Sequence, residues 1–150
     1  MKDKVIKETE NINSNNKAKE YLQQVRKAEL HIKSLEEEIE TMKELAVSIG
    51  SISQNEKVMS SVSQDRIADI ICKIEDRVAE LKIKMTEYIQ LRAEVMATIS
   101  KIDNDDYQQI LYKRYCQMKK WEEIALEMSY TYQWVCKLHE RALRVISKIL

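Results

Sequence analysis

The chain has no proline, one glycine and no phenylalanine in 150 residues. Turns between strands lean on Gly, Asn and Pro, so this scarcity argues against a sheet. Glu, Lys, Ile, Leu and Ala dominate instead, the composition of long helices and coiled coils. The expected fold class is therefore all-α. Cysteine occurs three times, as Cys72, Cys116 and Cys136, an odd number without metal-type spacing. That usage points to a reducing compartment and to thiols that are buried or idle. Cys136 and His139 lie three apart with Cys116 nearby in sequence, but Cys72 and His31 fall far upstream. Zinc wants four such ligands, so no metal site is expected. No run approaches the roughly 18 apolar residues of a membrane span. The opening MKDKVIKETENINSNN has no apolar core, so a signal peptide is not expected there. A cytoplasmic protein without a membrane partner is expected.

Catalytic equipment is also missing from the pattern. There is no Gly-rich phosphate loop, no nucleophile–base constellation and no pair of carboxylates in contrasting environments. Glu122 and Glu123 are adjacent, point different ways, and suit the positive end of a helix. The chain is read as a non-enzyme with no cofactor.

Charge is balanced in total, with 25 basic and 25 acidic residues, but not along the chain. Residues 1–50 are net −1, residues 51–106 are net −3, and residues 107–150 are net +4. The C-terminal third is where an anionic partner would bind.

Residues 1–16 are polar and Asn-rich without a sustained period, so a flexible lead-in is expected. From there Tyr21, Val25, Ala28, Ile32, Leu35, Ile39, Met42, Ala46 and Ile49 alternate spacings of four and three. That is a heptad seam, which packs one helix along another. Gly50 follows directly, where a left-handed residue can end a helix. Residues 51–63 are Ser-rich and lose the period, which predicts a loop. Ser63 is the expected N-cap of the next helix, with Asp65 in its first turn. A second seam runs through Ile67, Ile71, Ile74, Val78, Leu81, Met85, Tyr88, Arg92, Val95, Ile99 and Ile102. Arg92 is its one charged member, expected to pack its stem and send its head to solvent. Two such helices, at about 17–49 and 64–102, should fold back as an antiparallel hairpin occupying 17–102. Leu22, Leu45, Ile70, Ile89 and Met96 widen the two stripes. A stripe that wide calls for another neighbour, either the C-terminal unit or a second chain. A homodimer or higher homo-oligomer through the hairpin is expected.

Residues 103–150 hold three shorter helical patterns. Asp103–Asp106 offers N-caps for the first, which carries Ile110, Leu111 and Tyr115. The second carries Trp121, Ile124, Ala125 and Met128. Ser129 and Tyr130 form a tight connection, and Thr131 can N-cap the third, with Val135, Leu138, Ala142, Val145 and Ile149 on one face. A short helix, a brief connection and a longer helix with a polar or aromatic first turn make a helix-turn-helix. The second helix of such a unit fits the major groove of double-stranded DNA.

These residues carry a resemblance. Arg114-Tyr115, Trp121, Glu122-Glu123-Ile124-Ala125, Val135, Leu138 and Ala142-Leu143 resemble region four of bacterial sigma factors, a promoter-binding helix-turn-helix. The stretch from Val58 to Ile71, the coiled helix after it and this C-terminus resemble small phage or prophage proteins, the ArpU- and RinA-type late transcription regulators. The resemblance implies base-reading positions at Tyr132, Gln133, Cys136 and Lys137. Thr131, Trp134 and Arg141 fall where backbone or flanking contacts lie. Side-chain chemistry adds to this: Gln133 can pair with adenine and Lys137 can donate to guanine. Lys119, Lys120, Arg141 and Arg144 suit phosphates. Sigma-type recognition helices carry arginines where this chain has Tyr132, Trp134 and Cys136. Trp134 is expected to extend the core beside Val135, with an exposed role against DNA or protein as the alternative. Tyr132 is expected exposed and Tyr130 packed.

The leading expectation is a sequence-specific, double-stranded DNA-binding regulator of phage or prophage genes. RNA polymerase is a further expected partner. One alternative is a protein-interaction module that keeps the shape without reading DNA. Another is a DNA-packaging protein of the small-terminase type.

Overall fold

The computed structural model describes the backbone of residues 2–55 and 61–150, and the side chains of residue 9 and of residues 12–52 and 61–150. Among the described residues there is no strand. Five α-helices follow one another: α1 (Lys2–Asn55), α2 (Ser61–Ile99), α3 (Asp105–Leu111), α4 (Trp121–Met128) and α5 (Tyr132–Ile149). A π-helical turn, Tyr112–Cys116, continues α3. No helix among the described residues is long and apolar enough to cross a membrane.

Helix ends differ from the sequence expectations. Residues 2–16 belong to α1 rather than to a flexible lead-in. Once nucleated, a helix extends at little cost through residues of middling propensity. Gly50 does not end α1. It sits within the helix without a positive φ, and α1 continues to Asn55. A lone glycine costs a helix only about 1 kcal/mol, which flanking turns absorb. Ser63 is not an N-cap, because α2 already begins at Ser61, and its first turn holds no acidic residue. Of the expected loop 51–63, both flanks are helical and residues 56–60 lie outside the described residues.

The chain divides into two compact units, one of residues 28–88 and one of residues 1–27 with 89–150. Each long helix contributes to both units. In the 28–88 unit the two helical segments run antiparallel. Tyr88 Oη donates to Glu29 Oε2 at 3.4 Å, and further along Arg77 Nε donates to Glu38 Oε1 at 3.1 Å. Leu35 and Ile39 are buried, and the seam positions Ile32, Met42, Ile74, Val78 and Leu81 are half-buried. Leu45, Ile71 and Met85 are exposed.

The other unit holds the larger core. Ala18, Leu22 and Val25 of α1, Val95 and Ile99 of α2, and Ile102 are buried within it. Tyr21 Oη and Thr98 Oγ1, 3.0 Å apart, pin the two long helices here. Leu22 thus finds cover inside its own unit, while Ile89 and Met96 stay exposed. Arg92 packs its stem, the expected part of its placement. Its Nε is buried and has no hydrogen-bond partner among the described residues. The guanidinium lies close enough to Cys116 to oppose the rise that burial imposes on that thiol's pKa. The residue as a whole is half-buried.

Candidate nucleic-acid interface

The last three helices build the site. Asn104 caps α3: its side chain accepts from Tyr107 N–H at 3.0 Å. In the capping of α4, Lys120 N–H donates to Glu123 Oε2 at 2.7 Å. The connection from α4 to α5 needs one left-handed residue, and Ser129 supplies it with φ 56. Tyr130 N–H then returns to Ala125 C=O at 2.9 Å. Thr131 caps α5 as expected, its Oγ1 accepting from Trp134 N–H at 3.2 Å. An N-cap of this kind stabilises a helix by about 1 kcal/mol.

These caps fix the crossing of α4 and α5 over a shared core. Ile110, Ile124, Ala125, Val135 and Leu138 are buried together, with Tyr107, Trp121 and Met128 packed against them. Burying one such aliphatic side chain contributes about 1.5–3 kcal/mol. Small Ala125 is among the buried set, consistent with close helix approach.

The same packing presents the opposite face of α5. Gln133 and Lys137 are exposed, and Cys136 is half-buried. Tyr132 is 48% exposed, as expected. Its hydroxyl stands beside the Cys136 sulfur, which chiefly holds the phenol above its ordinary pKa. Trp134 is 39% exposed and does not extend the core. Its position in the first turn of α5 turns it away from the helix pair, and the Arg141 guanidinium covers its ring at 5.4 Å from the centroid. Tyr130 is not packed either: it is exposed, and its hydroxyl donates to Asp106 Oδ2 at 3.0 Å.

The basic residues separate into two groups. Lys120, Lys137 and Arg144 are exposed and make no ion pair among the described residues. Lys119, one of the expected phosphate contacts, is engaged within the protein. It and Lys113 both donate to the Glu127 carboxylate. The two ammonium groups lower the Glu127 pKa, first through their hydrogen bonds. Glu140 adds an exposed acid near Lys137 and Arg141 in sequence.

Behind α5 lies a group the sequence reading missed. His139 is buried, with Nε2 hydrogen-bonded to Tyr115 Oη at 2.8 Å. The Trp121 ring tilts against the imidazole at 4.6 Å between centroids. Arg114 stacks on the other aromatic, Trp121, at 4.5 Å, and donates to Lys119 C=O at 2.9 Å. Burial pushes the His139 pKa down to about 4, with Lys19 and Arg114 adding to the effect. Burial raises the Tyr115 phenol to about 12. The Arg114-Tyr115 and Trp121 positions stood out in the sequence, but no local spacing links them to His139. Cys116 is buried and Cys72 exposed, and no group of three His, Cys, Asp or Glu poised for a metal occurs among the described residues.

Compared with known proteins, the chain matches no family model, no curated protein and no solved structure.

Proposed function

We propose that the chain is a double-stranded DNA-binding transcription regulator that lays α5 in the major groove. The observation that carries this reading is the two-faced first half of α5. Val135 and Leu138 are buried against α4, while Tyr132, Gln133 and Lys137 stand exposed beside them. In a helix-turn-helix that exposed turn meets base edges. Gln133 and Lys137 read bases; Tyr132 and Cys136, which touch, offer an apolar contact for a thymine methyl. Lys120, Arg141 and Arg144 take phosphates, with Thr131 and Trp134 flanking them. Lys119 joins them only if Glu127 releases it.

The resemblance of this segment to sigma region four and to phage late-gene regulators agrees with the reading. So does the net charge of +4 in residues 107–150. We further propose that a second copy pairs through the long helices, since Leu45, Ile71, Ile83 and Met85 are exposed apolar residues in one unit. Pairing would put two readers on one duplex and raise the affinity of each. Light scattering that gives a monomer at high concentration contradicts the pairing alone.

A protein-interaction role has its own motivation. Leu126 is 82% exposed, and Tyr130, Tyr132 and Trp134 are exposed close to it in sequence. RNA polymerase is the partner class this surface would serve.

Duplex binding followed by fluorescence anisotropy tests the main proposal. The three cations assigned to phosphates (Lys120, Arg141, Arg144) predict a slope of log affinity on log salt of about −3 per reader. Affinity then falls roughly fortyfold between 50 and 200 mM salt. Absent binding at low salt, or binding indifferent to salt, rules the proposal out and leaves the interaction role.

A further inference from the structure

A second cluster of cations gathers between α1 and the segment that holds Arg114 and Trp121. Lys19, Gln23 and Arg26 share one face of α1, at spacings of four and three. Together with Arg114, Tyr115 and Trp121 they line a cavity of about 110 Å³. All six belong to the same compact unit. Three positive side chains therefore converge on one enclosed space whose lining contains no carboxylate.

None of the three cations forms an ion pair among the described residues. Arg114 is held in place: its guanidinium stacks on Trp121 and donates to Lys119 C=O at 2.9 Å. Lys19 and Arg26 reach the cavity from exposed positions on α1. Like charges gathered without an acid repel one another, and the low-dielectric aromatic wall strengthens that repulsion. An anion in the cavity reverses the sign of the interaction. The space accommodates several waters, and hence one tetrahedral oxyanion, but not a nucleotide base as well. Two guanidinium groups, an ammonium and an amide supply donors for several oxygens, as phosphate recognition requires.

We propose that Lys19, Arg26 and Arg114 form a binding site for a tetrahedral oxyanion of the phosphate class, bridging α1 to the helix-turn-helix. The phosphate group comes either from a free phosphate or phosphomonoester or from the backbone of a bound duplex. The free-phosphate source does not depend on the DNA reading.

The full chain is titrated with inorganic phosphate at constant ionic strength against chloride, with Trp121 at the cavity wall as the fluorescent reporter. Lys19→Gln and Arg26→Gln are compared with the wild type and with Lys148→Gln, an exposed position outside the cavity. Both altered residues are exposed, and circular dichroism checks that the helices persist. With free phosphate as the source, binding saturates and each cavity variant weakens it about tenfold, the effect of one lost charge-assisted hydrogen bond. Lys148→Gln leaves it unchanged. With the duplex as the source, each cavity variant instead reduces the salt slope of duplex binding by about 1. Phosphate acting no differently from chloride, together with unaltered duplex binding in both variants, overturns the site. So does saturable phosphate binding that neither variant weakens. Phosphate binding by a chain that ignores duplex DNA supports this site while removing the DNA reading.

Discussion

Acidification should destabilise the unit that holds the helix-turn-helix before most carboxylates titrate, and His139 is the reason. In the folded chain this imidazole is buried against Tyr115 and Trp121 and its pKa falls from 6.5 to about 4. The folded state therefore resists protonation while the unfolded state accepts it. Stability is fully present above about pH 6.5 and is lost as pH falls toward 4. At about 1.4 kcal/mol per unit of pKa, the whole effect is about 3 kcal/mol. About 2 kcal/mol of that is gone by pH 5. The assay is urea denaturation at a series of pH values, read by tryptophan fluorescence. Both tryptophans, Trp121 and Trp134, belong to the unit that holds His139, so the signal reports that unit. His139→Gln is the control. It lowers stability at neutral pH by about 1–3 kcal/mol through the lost Tyr115 contact. It also removes most of the slope between pH 6.5 and 5. A wild type whose stability changes by less than about 0.5 kcal/mol between pH 7.5 and 5 refutes the reasoning. So does a variant that keeps the same slope.

Glu127→Gln releases Lys113 and Lys119 from their shared carboxylate, so duplex binding should tighten at low salt and its salt slope steepen by up to about 2. Unchanged salt dependence in anisotropy would place both lysines away from DNA. Thr131→Ala removes the cap of α5 and should cost about 0.5–2 kcal/mol in denaturant unfolding, with no change in the pH dependence set by His139. Lys120→Ala should weaken all duplexes evenly, whereas Lys137→Ala should weaken preferred duplexes most, as competition binding between matched and scrambled duplexes will reveal.

Much of the fold was legible because it rests on periodicity. The heptad seam from Tyr21 to Ile49 marked residues that are all buried or half-buried. The caps at Asn104 and Thr131 follow from local side-chain chemistry, and the connection at Ser129 and Tyr130 from its length. Helix ends were less legible, since Gly50 and the Ser-rich stretch weaken a helix without stopping it. The compact units were not legible at all, because the periodic pattern runs unbroken across residues 27 and 88 while the contacts regroup. In the candidate interface, the sequence treated Lys119 and Lys120 alike. Folding brings Glu127 to Lys119 and leaves Lys120 free. Trp134 was expected inside because it neighbours Val135, but one position on a helix turns a side chain by about 100°, enough to face solvent. The Tyr115–His139 contact joins residues 24 apart and has no signature in either segment.

Selection of bound sequences from random duplex DNA, run side by side with wild type and Lys137→Ala, tests most directly whether the exposed turn of α5 reads base edges. The account predicts that the wild type enriches a defined motif and that Lys137→Ala relaxes preference at one guanine-bearing position while the rest of the motif persists. No enrichment by the wild type, or an identical motif from both proteins, contradicts it.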